Sequence, residues 1–590
     1  MRARNSDVSL PTASESIQAQ SIAIGDALLP ERMLNIALPV FAILLGACRA
    51  WAGRFQMAPD GISYIEIGEA YLRRDWHAAL SAYWSPLYTW LLGAGLAVFR
   101  PSAYWEFPVV HLVNFVIYLV ALGCFHFFLA GLVRYQESLR DERRELRVAA
   151  IPKLVWLGFG YALFLLSSLE MITLSAVTPD MCVAAFVYLA SGIVVRIHSG
   201  KQARGIYFVL GICLGFGYLA KAAMLPVSFI FIVASFSPGT SLRKALRRAS
   251  VTLAGLALIA GPSILALSKQ QGHLTFSETP RLAYASMVNL LPQVHWQGGP
   301  PGFGYPKHPT RKINDHPDAF EFGSPVPGSY PPWRDPVYWN EGVTPHFDLR
   351  QETIAMVGNG VNLFDLFFGR FEGGVVAGIL VLYLFGGSRR LVLRHVAGQW
   401  FLYLPSLAAF MMYFVVLVAS RYLGAYFTVF SVGLISGLCL PDLLEFRRLL
   451  MSITVPVVSV TLAIVLTSTA TDLITSHRVV PEEWQVADYL YRVGIRPADR
   501  VAEIGMSYDW GWARLARVQI TAEIPRASER DFDAAGDEVK SKVLHKLFGT
   551  GVKAIVSRRP YESGCETGWQ GNEKTNVYVC TAPGVRPDGR

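Results

Sequence analysis

The chain has 590 residues, of which 52% are hydrophobic, 12% aromatic and only 16% charged, against about 25% charged in an average soluble domain. That balance excludes a disordered protein, a disulfide-stapled mini-domain and an ordinary cytosolic enzyme, and it predicts an α-helical polytopic membrane protein. The formal charge of +9 does not indicate nucleic acid, because the basic residues crowd into short loops between apolar spans.

A polar tail over residues 1–32 leads into an apolar run too long for the core of a cleaved signal peptide. Spans of about 20 mostly apolar residues are predicted at 33–53, 108–133, 153–171, 178–196, 205–221, 223–238, 250–268, 372–387, 399–419, 423–440 and 449–468. They form one transmembrane module over 33–469 with about eleven crossings, several near the short limit. Loop charge orients it. Basic residues follow the second span (Arg134, Arg140, Arg143, Arg144, Arg147, Lys153), the fourth (Lys201, Arg204) and the sixth (Arg243, Lys244, Arg247, Arg248). They also follow the eighth (Arg389, Arg390, Arg394) and the tenth (Arg447, Arg448). All fall on one side, which predicts a cytoplasmic N-terminus and extracytoplasmic segments at 54–107, 269–371 and 470–590.

In the first outer segment, 86–99 reads as a partly inserted helix. Residues 290–347 are dense in Pro, Gly and aromatic residues with little periodicity, which predicts a long ordered loop. The last segment, 470–590, reads as a small extracytoplasmic α/β domain. Helices are expected at 482–493 and 538–548, and strands near 500–504, 519–524 and 553–557. It has no glycine pattern for nucleotide binding. Five of the seven cysteines lie in or beside spans, as small buried hydrophobes do. Cys565 and Cys580 lie in the outer domain, where a bridge would be worth about 3 kcal/mol.

Carboxylates at the outer edge of a bilayer ask for a reason. Asp60, just after Pro59, reads either as a helix-capping residue or as a catalytic acid, and Asp180, after Thr178-Pro179, carries the same two readings. Glu66, Glu69 and Asp75 read as a solvated helix face. Lys221 and Arg421-Tyr422 occupy outer turns, where cations run against the topology rule; they either snorkel to lipid phosphate or hold an anion. Arg281 is a further candidate of the same kind. Together these groups suit a transfer chemistry: a carboxylate removes a proton from an attacking hydroxyl while cations stabilise the charge on a departing phosphate. Five of the twelve histidines (His273, His295, His308, His316, His346) lie in 269–371 without a metal-ligand spacing. His308 is either a packing residue or a substrate contact. Trp296, Trp333, Tyr338 and Trp339 either stack on sugars or form the core of the loop.

Asp60-Gly61-Ile62-Ser63-Tyr64, followed by Tyr83-Trp84-Ser85-Pro86-Leu87-Tyr88, resembles the first outer loop of GT-C glycosyltransferases, in particular the bacterial protein O-mannosyltransferase and aminoarabinose-transferase group. Thr178-Pro179-Asp180, Gly215–Lys221 and Arg421-Tyr422 fall in the order and on the side this group would show, over about residues 33–440. The resemblance implies an inverting transfer from a polyprenyl-phosphate sugar donor to a hydroxyl of a glycan, lipid or protein. It implies Asp60 as the base, and Asp180 as a second acid near the acceptor or a metal. Lys221 and Arg421 would sit at the donor phosphate, with Tyr64, Tyr88 and Tyr422 of these stretches near substrate. Arg281 at the phosphate and His308 at substrate are candidates from their place in the outer loop, outside the resemblance. A divalent metal ion varies within the superfamily and stays open. No WWDYG-like stretch of oligosaccharyltransferases occurs, so the acceptor is not named by the sequence. The rival class is a transporter or flippase of a lipid-linked or envelope substrate; it would show internal repeats and midplane charges, and neither is evident here.

Overall fold

The computed structural model describes residues 13–200, 205–369, 372–385, 389–476, 482–506, 509–572 and 576–585. The first twelve residues of the predicted tail, and the basic pair Lys201 and Arg204, lie outside these. Each predicted span falls on a helix. In chain order these are α1 (Ala13–Ala52), the outer helices α2 (Pro59–Leu72) and α3 (Pro86–Phe99), α4 (Ala103–Ser138), α5 (Lys153–Leu165), α6 (Asp180–His198), α7 (Ile206–Ala220), α8 (Met224–Ala234) and α9 (Leu242–Gln271). There follow α10 (Leu349–Phe368), α11 (Gly373–Leu384), α12 (Trp400–Val416), α13 (Ser420–Ser436) and α14 (Leu444–Ser476).

Six described helices are long and apolar enough to cross a membrane, or eight if two bent pairs, α10 with α11 and Arg389–Gly398 with α12, each count as one span. Helices α7 and α8, at 15 and 11 residues, reach only about 22 and 16 Å at 1.5 Å per residue, short of a bilayer core of about 30 Å. Helix α7 crosses α9 backbone against backbone. A Cβ added at Gly255 would meet Ile212 N at 3.0 Å, and one at Gly211 would collide with Thr252 O; small residues permit such close helix contacts in membranes.

Helix α10 lies inside the segment predicted as an outer loop. Its apolar residues Ile354, Val357, Val361, Phe364 and Phe368 are all exposed and recur every three or four positions, forming one exposed apolar stripe. Arg350, Glu352, Asn359 and Asp365 dilute the mean hydropathy, which hides the helix from a span criterion.

Above the bundle lies one seven-stranded sheet, ordered β1-β2-β4-β3-β5-β7-β6. Strands β3 (Arg500–Ile504), β4 (Gln519–Ile524) and β5 (Ala554–Ser557) form a parallel centre, and β6 (Gln570–Asn572) and β7 (Val577–Thr581) add an antiparallel edge. The other edge, β1 (Arg311–Asp315) and β2 (Asp318–Glu321), comes from the 290–347 segment, with β2 antiparallel to β4. That segment is therefore not only loop: it builds the outer sheet together with the C-terminal strands. Helices α15 (Glu482–Arg492), α16 (Gly511–Leu515) and α17 (Asp537–Phe548) flank the sheet, and a disulfide joins Cys565 to Cys580.

Candidate active site

Four of the singled-out residues meet at the outer end of the bundle. Asp60 is the second residue of α2. The helix starts at Pro59, and the residue before it, Ala58, makes no side-chain cap bond, so Asp60 is not spent on capping. Asp180 opens α6, again with no capping bond. Both carboxylates thus sit at positive helix ends. Lys221 ends α7 in extended backbone, and the next residue is held where Ala222 N donates to Ser85 Oγ at 3.1 Å. Arg421 is the second residue of α13, directly after the turn from α12. That turn is fixed by Asn359, which accepts from Val418 N at 3.0 Å and donates to Phe414 O at 2.9 Å.

The four form one charge cluster. Lys221 Nζ donates to Asp180 Oδ1 at 2.6 Å, and Thr178 Oγ1 donates to Asp180 Oδ2 at 2.9 Å. Arg421 bridges the two acids, 3.6 Å from Asp60 Oδ2 and 3.7 Å from Asp180 Oδ2. Tyr422 touches both cations: Arg421 donates to its hydroxyl at 3.1 Å, and Lys221 Nζ stands 3.5 Å over its ring. Asp180 is 3% exposed and saturated, whereas the Asp60, Lys221 and Arg421 side chains are 24%, 23% and 33% exposed. The open members are therefore one carboxylate and two cations. Burial raises the Asp60 carboxyl above the usual carboxylate range, against the lowering effects of Arg421 and of a hydrogen bond from Trp333.

That tryptophan is the residue whose role the sequence did not single out. Trp333 Nε1 donates to Asp60 Oδ1 at 3.2 Å, and Ser63 Oγ returns a bond to Trp333 O at 3.2 Å. Trp296 and Trp339 are buried in the loop core, and Tyr338 stacks on His308.

Other expectations are corrected. Arg281 does not join the cluster; it binds Glu278 at 2.7 Å and Val343 O at 2.6 Å, tying down the loop. His308 pairs with Glu341 at 3.2 Å, away from the acids. Tyr88 is fully buried with its hydroxyl donated to Asn114 at 2.7 Å, and Tyr64 packs edge-on against Tyr88 and Trp84. Both tyrosines are the floor beneath the cluster and present no face to a ligand. Glu66 and Glu69 are not a solvated face. Glu66 accepts from Ser329 N at 2.8 Å, and Glu69 is gripped by Arg514 and Arg517. The outer domain covers that side of α2, and no local pattern in α2 records this. Asp75 does remain exposed, and it caps a short helix by accepting from Ala78 N at 3.2 Å.

Asp60 and Asp180 are two oxygen donors whose neighbours are already cations, and no group of three or more His, Cys, Asp or Glu side chains suited to a metal ion occurs among the described residues.

No family model matches the chain, and no curated protein is similar to it in sequence. Solved structures are similar in fold. ArnT from Cupriavidus metallidurans bound to undecaprenyl phosphate superposes over 94% of this chain and 100% of that one, at 12% identity and a TM-score of 0.51. The archaeal oligosaccharyltransferase AglB from Archaeoglobus fulgidus, in complex with an inhibitory peptide and a dolichol-phosphate, covers 89% and 69% at 12% identity and a TM-score of 0.48. The chain thus shares the fold of that ArnT structure, a module of apolar helices carrying an outer α/β region.

Proposed function

We propose that this protein is a membrane glycosyltransferase that moves a sugar from a polyprenyl-phosphate donor to a hydroxyl acceptor at the extracytoplasmic face of the inner membrane. The observation that carries this reading is the convergence of Asp60, Asp180, Lys221 and Arg421, drawn from four distant segments, at one end of the bundle. The fold shared with ArnT, whose structure contains undecaprenyl phosphate, supports the donor class.

In this mechanism Asp60 takes the proton of the acceptor hydroxyl while its oxygen attacks the anomeric carbon. The bond from that carbon to the phosphate oxygen breaks, and the lipid phosphate leaves with the electron pair. The configuration inverts, and the proton stays on Asp60. Lys221 and Arg421 stabilise the growing phosphate charge. Asp180 is a positioning residue: it holds both cations where the phosphate arrives, and Thr178 satisfies its remaining oxygen.

The test is reconstitution of the purified protein in vesicles with polyprenyl-phosphate sugars and mixed envelope glycans. Lipid phosphate should be released with sugar-labelled product, and Asp60→Asn should lower both by about 10²–10⁴-fold. Movement of intact donor across the bilayer without phosphate release would favour the transporter reading instead.

A further inference from the structure

A second polar site opens on the far side of α2. It is a cleft of about 450 Å3 between α2, residues 323–329 and the β3–β4 end of the outer sheet. Its lining holds five arginines, Arg73, Arg334, Arg500, Arg514 and Arg517, against two glutamates, Glu66 and Glu69. Some of this charge docks the outer domain. Arg514 binds Glu106 at 2.7 Å and Glu69 at 3.0 Å, and Arg517 reaches the same two acids. Docking accounts for Arg514 and Arg517 but not for the rest. Arg73 is 62% exposed and only 3.7 Å from Glu69 of its own helix, and Arg500 is exposed at the start of β3. Buried Arg334 donates to Ala78 O at 2.5 Å and stands 3.9 Å from Glu66, which Ser329 N also engages. Among the lining side chains five arginines face two glutamates, with Glu106 behind Arg514 and Arg517, and Asp75 and Asp335 near Arg334. Gly328 shapes its wall: its φ of +115° is in the left-handed region, and a Cβ there would collide with Glu66 Oε2.

The cleft shares a wall with the candidate active site. Trp333 bonds Asp60, and its chain neighbour Arg334 lines the cleft. Along α2, Glu66 lies about 9 Å and Arg73 about 20 Å from Asp60 at 1.5 Å per residue. Arginine forks favour phosphate and carboxylate, and the volume suits a small polar ligand.

We propose that this cleft anchors an anionic saccharide acceptor, one bearing phosphate or carboxylate groups on a sugar beyond the ring that reacts at Asp60. The acceptor assignment rests on the transferase reading; the anion site does not.

The test uses the full chain in nanodiscs without donor. Trigalacturonate and glucose 1,6-bisphosphate serve as anionic probes, and maltotriose is the neutral control. Both anionic probes should bind and maltotriose should not, with affinity falling as salt rises. The double variant Arg73→Gln/Arg500→Gln, outside the docking bonds, should keep its thermal midpoint and lose about tenfold or more in affinity. Asp60→Asn should bind the probes as the wild type does, which separates failure of this site from failure of the transferase reading. Equal binding of maltotriose, or undiminished binding by the double variant, overturns the site. Displacement of the probes by phosphatidylglycerol vesicles at equal phosphate assigns the cleft to bilayer lipid, and probes that bind without inhibiting turnover separate it from the acceptor path; either result overturns the acceptor reading.

Discussion

Two acid–base clusters sit at opposite sides of α2, built from the same kinds of residue and bonded differently. On the domain-facing side, Glu69 and Glu106 are matched by Arg514 and Arg517, with Arg514 and Glu106 buried and forked bonds on each acid. On the bundle side, Asp60 meets Arg421 only at 3.6 Å and takes one neutral hydrogen bond from Trp333. The saturated cluster is a structural clasp, since a buried ion pair repays its desolvation only with full hydrogen bonding. The under-bonded cluster has capacity left for a substrate hydroxyl and a phosphate. Protonation follows the same division. Burial acts to raise Glu69, but bonds and charges from Arg514 and Arg517 hold it down at about 2, whereas Asp60 is raised.

The largest expected effect breaks the open cluster. Asp60→Asn should lower sugar transfer by about 10²–10⁴-fold, the usual worth of a general base, with the thermal midpoint unchanged; a variant that turns over like the wild type would remove the distinction between the clusters. Next, Arg514→Met should strand Glu69 and Glu106 and weaken domain docking by about 3–5 kcal/mol. Hydrogen exchange in α16 and α2 reads this out, and unchanged protection would show that the clasp holds nothing. Because the native Glu69 carboxyl is depressed, its share of docking is complete above the ordinary value of 4.5 and is lost as pH falls through about 2.

A smaller effect sharpens the contrast. Trp333→Phe removes the bond that lowers Asp60, so its carboxyl should rise further and the acid limb of the pH–rate profile should move up by about one unit. A profile that stays in place, or moves down, would mean Asp60 is not the titrating base. The smallest effect concerns Glu503, buried beside Glu523 on neighbouring parallel strands. Burial first, then Glu523, with Asp509 adding and Arg558 opposing, raises Glu503 well above its usual value. His295 and Tyr330 bond Glu523 at 2.6 and 3.0 Å. A raised native acid binds its proton more tightly when folded, so its stabilisation is full at low pH and fades as pH rises through the native value. Glu503→Gln should therefore raise the outer domain's melting midpoint by a few degrees at pH 8 and little at pH 4. An equal shift at both would place the cause in packing.

What the sequence determined by itself is the one-dimensional part of this protein. Apolar runs of span length mark α1, α4, α6 and α14 because each helix satisfies its own backbone bonds and reports its environment locally. Short, largely apolar segments rich in Val, Ile and Ala mark β3, β4 and β5 in the same local way. Asp60, Asp180, Lys221 and Arg421 were legible because a charge at a membrane edge is conspicuous against an apolar background. Only the tertiary structure decided what those charges face. Trp333 reaches Asp60 across 273 positions, and Arg514 reaches Glu69 across 445; Glu69 has the same local surroundings in the sequence whether α2 faces water or the outer domain. Tyr88 by its place in the resembling stretch, and Arg281 and His308 by their place in the outer loop, read as substrate or donor-phosphate contacts, yet Asn114, Glu278 and Glu341 claim them. The strands β1 and β2 likewise gained their meaning from β4, some 200 residues away in the chain. Long-range partners are set by packing, and packing leaves no periodic trace in the segments that it joins.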